Sequence, residues 1–125
     1  IVAYGSRHTA CRLFVYGTLA PGQPNHGLLA KLPGTWQKGF ISGLLYPNGL
    51  GPTAGYPVVD VDHPVASIDG LLFTSKALPA HWSVLDDFEG EGYRRIKTRV
   101  TLLDKSRMEA FIYALDQSLL RSRRP

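Results

Sequence analysis

One stretch constrains this chain more than any other. From Pro79 to Gly92 it reads Pro-Ala-His-Trp-Ser-Val-Leu-Asp-Asp-Phe-Glu-Gly-Glu-Gly. Wound as a helix at about 100° per residue, Trp82, Leu85 and Glu89 fall on one narrow stripe, spaced i, i+3, i+7. Asp86 lies at its margin and Asp87 points away. Pro79 suits a first helical position. Gly90 and Gly92 stop the helix, because glycine takes the backbone shapes that a helix end needs. The stripe carries Glu89 inward beside a tryptophan, where an acidic group is costly unless it has a partner or a task. Pattern alone leaves a second reading open, a helix-end carboxylate swung out to solvent.

Around this helix the chain reads as short strands. Cys11 to Gly17 is an apolar run ended by glycine, which suits a strand buried on both faces. Strand-like segments follow at Trp36 to Leu45, Tyr56 to Val61, Ala66 to Thr74, Tyr93 to Leu103 and Met108 to Leu115, with Asp104-Lys105-Ser106 as a hairpin turn between the last two. Gly27 to Leu32 is expected to form one or two helical turns. Pro47-Asn48-Gly49-Leu50-Gly51-Pro52 is a loop that continues neither neighbouring strand. There is no repeat, linker or low-complexity block. The expected organisation is a flexible lead-in over 1–10, a single domain over 11–117 and a basic tail over 118–125.

The 125 residues suffice for one domain with a real core, and 44% hydrophobic against 19% charged residues describe an ordinary globule. No apolar run approaches the roughly 20 residues of a membrane-spanning helix. Ile1-Val2-Ala3-Tyr4 reads as neither a signal peptide nor a methionine start, so a trimmed or replaced N-terminus is expected. One cysteine, Cys11, excludes an internal disulfide and points to a reducing, cytoplasmic setting. The net charge of +4 comes largely from Arg121, Arg123 and Arg124. Such a tail is ordinarily a solvated end, so nucleic acid is not the expected partner.

Several chemistries fall away on spacing. Ser42 lies in Gly39-Phe40-Ile41-Ser42-Gly43, without the G-x-S-x-G elbow. His8, His26, His63 and His81 never pair at metal-ligand spacing. Asp60-Val61-Asp62-His63 runs into Pro64 and reads as a surface turn rather than a metal site. No glycine-rich nucleotide loop is present, and no cofactor is expected. One connection remains of interest. A strand ending in Tyr16-Gly17-Thr18-Leu19 leaves backbone N–H groups at its C-terminal end, and Gly17 carries no side chain to block a ligand. Such a loop can hold a carboxylate or a developing oxyanion. Equally, it can be a plain turn.

Phe14-Val15-Tyr16-Gly17-Thr18-Leu19, followed later by Leu85-Asp86-Asp87-Phe88-Glu89 and Tyr93-x-Arg95, resembles the gamma-glutamylcyclotransferase-like (AIG2-like) superfamily. Gly22-Gln23-Pro24-Asn25-His26, Gly55-Tyr56-Pro57 and Phe111-Ile112-Tyr113 are similar to the branch containing gamma-glutamylamine cyclotransferase. The resemblance spans about residues 12 to 115. It implies an α+β (mixed) fold, a small partly closed β-barrel with a few short helices, and a pocket between the Tyr-Gly-Thr-Leu loop and an acidic residue. It also implies that Glu89 is the catalytic acid/base and that Tyr16, Gly17, Thr18 and Leu19 form the substrate-holding loop. The implied ligand is a small γ-glutamyl compound, released as 5-oxoproline and a free amine without cofactor or metal. The alternative is a non-catalytic binding domain of the same fold. The segment from Ala30 to Asp69 is expected to shape the part of the pocket that reads the leaving amine.

Tyr113 shares a strand face with Glu109, Phe111 and Leu115. That places either a ring with its hydroxyl in the pocket, which would make Tyr113 a substrate-binding residue, or a core tyrosine with a satisfied hydroxyl. Alternation puts Arg94 on the face of Ile96, Val100 and Leu102, with Arg95, Lys97 and Arg99 opposite. The resemblance favours Arg95 instead, and a bulge near Gly92 is one way to reconcile the two.

Overall fold

The computed structural model of the chain describes residues 9–17, 22–23 and 26–118. Thr18, Leu19, most of the expected lead-in and the arginines of the tail lie outside the described residues.

Among the described residues, the elements that build the barrel and its helical cover are β1 Arg12–Val15, α1 Gly27–Ala30, β2 Thr35–Tyr46, β3 Val58–Asp60, β4 Ala66–Thr74, α2 Trp82–Glu89, β5 Tyr93–Leu102 and β6 Arg107–Leu115. The strands run in the order β3-β2-β4-β1-β6-β5, and a further pairing of β2 with β5 closes five of them into a barrel, with β3 as an extension on β2. The only parallel pairing among them is β1 with β6. The expected partly closed barrel is therefore a closed, mixed one. Closure depends on glycine. Gly39 pairs with Leu102 across the seam, and a Cβ there would sit 2.8 Å from the Thr101 carbonyl oxygen. Gly39 also faces Gly70 on β4, where a Cβ would lie 2.5 Å from the Phe14 ring. Backbones approach this closely only where side chains are missing.

Alternation along the strands splits the apolar residues into two cores. Phe14, Ile41, Leu72, Val100, Leu102 and Ile112 fill the lumen. Leu13, Val15, Phe73 and Tyr113 face the other way and are covered by Leu29, Leu78, Trp82 and Leu85. β1 lies between β4 and β6, with the lumen on one side and the helical layer on the other. All four of its residues are buried, Arg12 with them, in keeping with the expected strand buried on both faces.

The helix over Trp82–Glu89 forms with Trp82 and Leu85 buried. It ends at Gly90 (φ 67°), whose N–H still reaches the Asp86 carbonyl at 3.1 Å. Pro79 does not open it. That proline sits in a separate 3-10 turn, Leu78–Ala80, closed by the His81 N–H on the Leu78 carbonyl at 2.8 Å. The third strand is shorter than expected. Before it, Pro57 has no N–H for a ladder and the Tyr56 N–H turns back to the Thr53 carbonyl at 3.0 Å. After it, the buried Asp60 carboxylate accepts from the Asp62 N–H at 2.9 Å and bonds the His63 ring at 2.6 Å, which ends the strand in the expected turn. β5 carries no bulge, since its pairs with β6 run without a skip from Tyr93↔Leu115 to Thr101↔Arg107. Among the described residues no helix is long and apolar enough to cross a membrane.

Candidate active site

A cavity of about 300 Å³ opens where β1 ends. Val15, Tyr16 and Gly17 form one wall, and Tyr93 and Tyr113 come from β5 and β6. Phe88 and Glu89 enter from the last turn of α2, with Tyr56 and Pro57 closing the remaining side. The strand end and the helix end, far apart in the chain, thus meet in one pocket. Of the six residues singled out in the sequence, Glu89, Tyr16, Gly17 and Tyr113 line it, and Thr18 and Leu19 lie outside the described residues.

Glu89 is half-buried and, among the described residues, its carboxylate receives no hydrogen bond and no ion pair. Burial without compensation favours the neutral acid, and its pKa is pushed up from an ordinary 4.5 to about 7. Phe88, Tyr93 and Tyr113 are among the residues that share its cavity, whereas Trp82 and Leu85, its companions on the helical stripe, do not line it. Trp82 is occupied elsewhere. Its Nε1–H donates to the Ala10 carbonyl at 3.0 Å, and its ring meets Phe111 edge-on at 5.3 Å.

Three tyrosines around the cavity have committed their hydroxyl protons. Tyr16 donates to the Tyr113 carbonyl at 2.6 Å and accepts the Val59 N–H at 3.2 Å, tying the barrel strands together. Tyr93 donates to the Pro57 carbonyl at 2.7 Å. Tyr113 donates to Asp86 Oδ1 at 2.6 Å. Burial pushes all three phenols above their usual range, Tyr93 to about 12, and the nearby charge of Glu89 adds to each shift. They stay protonated throughout any ordinary pH range.

Asp86 and Arg95 do not line the cavity but hold Tyr113, which does, and sequence patterning assigns a role to neither of them. Partial burial works to raise the Asp86 pKa, but hydrogen bonds from Arg95 and Tyr113, together with the Arg95 charge, hold the carboxyl below its ordinary value. Arg95 Nε lies 2.9 Å from Oδ1 and Nη2 lies 3.2 Å from Oδ2. Its guanidinium stacks 4.6 Å from the Trp82 ring centroid and 4.7 Å from that of Phe111. Arg95 and Tyr113 are direct cross-strand partners, so one carboxylate on α2 is held by two neighbouring side chains of the sheet. The available signal was Asp86 at the stripe margin, combined with Tyr93-x-Arg95. Beyond Gly17 and Pro57 the cavity adjoins a more open groove of about 710 Å³ that includes Lys38, Phe40 and Asp69, which fall in the Ala30–Asp69 segment.

Residues 13–124 match the model of a family described as gamma-glutamyl cyclotransferase, AIG2-like. Among solved structures, an AIG2-like protein from Mus musculus is 24% identical, with 83% of this chain and 76% of that one covered at a TM-score of 0.63. YkqA from Bacillus subtilis is 28% identical over 92% of this chain at a TM-score of 0.65, and the chain spans only 44% of its length. A gamma-glutamyl cyclotransferase shares the fold at 15% identity, with 84% of this chain and 66% of that one covered at a TM-score of 0.61. No curated protein matches.

Proposed function

The chain belongs to the gamma-glutamyl cyclotransferase, AIG2-like family, and from that premise we propose that it releases 5-oxoproline and a free amine from a small γ-glutamyl amine or γ-glutamyl amino acid, with Glu89 as general acid/base. The observation that carries this reading is a carboxyl group in a walled cavity, free of hydrogen bonds and ion pairs among the described residues, with a pKa of about 7. A base poised near neutrality takes and returns a proton with little cost in either direction.

In the proposed reaction the substrate's α-ammonium gives a proton to Glu89, and the freed amine attacks the substrate's own γ-carbonyl. The new C–N bond closes a five-membered ring, and the tetrahedral intermediate collapses as the original amide C–N bond breaks. Glu89 returns its proton to the departing nitrogen. Two protons leave the attacking nitrogen in all, and the released amine takes them up to end as an ammonium. Because both reacting groups belong to one molecule, holding it bent supplies much of the rate. The cavity at the end of β1 suits that task. In this reading, backbone N–H groups from Gly17 to Leu19 hold the α-carboxylate or the oxyanion. The groove that includes Lys38 and Asp69 gives the amine portion room to leave.

The test is 5-oxoproline release from ε-(γ-glutamyl)lysine, γ-glutamyl dipeptides and glutathione, each with wild type and Glu89→Gln. Turnover on one class that falls on the order of a hundredfold or more in the variant supports the reading. Activity that survives Glu89→Gln sinks it. No turnover at all, with ligand-induced thermal shifts retained, identifies a binding domain of the same fold.

A further inference from the structure

The hydrogen-bond directions around the cavity are uneven. Tyr16, Tyr93 and Tyr113 have each given their O–H to a protein oxygen. A phenol has one proton to donate, so each of these oxygens now only accepts. Glu89, when ionised, also only accepts. No lysine or arginine lines the cavity among the described residues. The nearest guanidinium, Arg95, is bound to Asp86 through both carboxylate oxygens and packed on Trp82 and Phe111. Tyr56 is exposed at the mouth, and among the described residues its phenol makes no such bond.

Asp86 sets this polarity at Tyr113. It lies one helical turn before Glu89 on α2, and Arg95 fixes its position from the neighbouring strand. We propose that Asp86 is a positioning residue: by taking the Tyr113 proton it makes the phenol oxygen a permanent acceptor beside Glu89, and the two together select ligands that carry an ammonium group. This inference rests on the cyclotransferase reading, and it names the substrate's α-ammonium as the recognised feature. A charged carboxylate accepting the O–H also increases the negative character of the phenol oxygen, which strengthens its bond to a cation.

Calorimetric binding of two probes tests it with Glu89 intact: a γ-glutamyl mimic whose scissile amide is replaced by a –CH2–CH2– unit, so that it cannot cyclise, and the matching mimic without the α-amine. The expected result is a preference of tenfold or more for the amine-bearing probe. Tyr113→Phe should reduce it to about threefold or less, and Asp86→Asn should give an intermediate value, because the amide oxygen keeps the Tyr113 bond without the charge. Arg95→Lys loosens the clamp on α2 but leaves the Asp86–Tyr113 bond, so the preference should persist. A purely structural role would weaken both probes together and leave their ratio unchanged, and thermal unfolding of each variant separates misfolding from lost recognition. An unchanged ratio in folded Tyr113→Phe or Asp86→Asn overturns this inference while leaving a wild-type 5-oxoproline activity intact. If neither probe binds and wild type releases no 5-oxoproline, the reading beneath it falls as well.

Discussion

Glu89→Gln should stabilise the folded protein, and should do so chiefly at alkaline pH. Burial raises the Glu89 pKa from 4.5 to about 7. The folded state therefore keeps a proton that the unfolded chain releases, and stability falls as pH rises from the unfolded value through the folded one. Linkage between pH 5 and pH 8 then gives a loss of about 2.5 kcal/mol in wild type from this group alone, an upper figure because the carboxyl is only half-buried. Glutamine has nearly the same shape and no charge to desolvate, so the variant escapes that loss. For a domain of this size about 1 kcal/mol moves the unfolding midpoint by roughly 3–5 °C. The variant should gain up to about 10 °C over wild type at pH 8 and only a few degrees at pH 5. Differential scanning calorimetry at both pH values, with ionic strength held constant, provides the comparison. An equal gain at the two pH values, or a uniform loss, would refute the reasoning. Glu89 would then be solvated or paired, with no physical cause for a pKa near 7 and no special fitness as a base.

The same pKa predicts the rate profile: 5-oxoproline release at limiting substrate should rise with pH through about 7, and a limb near 4.5 would place the base elsewhere. Tyr16→Phe removes the hydroxyl that joins the Tyr113 carbonyl to the Val59 N–H, and two backbone groups left without it should cost about 1–3 kcal/mol in urea unfolding. Gly70→Ala places a methyl 2.5 Å from the Phe14 ring and 2.6 Å from the Val15 carbonyl oxygen. Backbone cannot yield as a side chain can, so the denaturation midpoint should fall by the equivalent of about 1–3 kcal/mol, and an unchanged midpoint would show that the two strands separate freely there. Arg95→Ala removes two stacked contacts and a bidentate pair at once; thermal melts should register a loss of about 1–2 kcal/mol, with Arg95→Lys recovering part of it.

The end of α2 and the bounds of β4 were legible because each is delimited locally, whereas Pro79 suggested an earlier helix start than Trp82. Glycine ends the helix at Glu89, and apolar residues recur along Ala66 to Thr74. The helical stripe correctly placed Trp82 and Leu85 in the interior, yet it misidentified the neighbours of Glu89. A stripe reports which face turns inward but not which strand it meets, and here Trp82 meets Phe111 and Arg95 while Glu89 projects past them into the cavity. The arginines make the same point. Alternation correctly separated Arg94 from Arg95, and its conflict with the family resemblance arose from treating one face of β5 as inside. Near its start β5 is covered on both faces, one by the lumen core and one by α2, whereas Lys97 and Arg99 farther along are exposed. Arg95 therefore points away from the lumen and into the layer that holds the site, and no bulge is needed.

The least legible contacts join distant parts of the chain through the closed sheet. Tyr113 reaches Asp86 across 27 residues, and Tyr93 reaches Pro57 across 36. No local period encodes either pair. The first follows from β5 lying against β6 beneath α2; the second follows from β3 lying on β2, which closes on β5 at Gly39. The Tyr93–Pro57 wall of the proposed site is thus coupled to barrel closure. A change at the Gly39 seam, far from Glu89 in the chain, should disturb that wall while the β5–β6 pairing that places Tyr113 is retained.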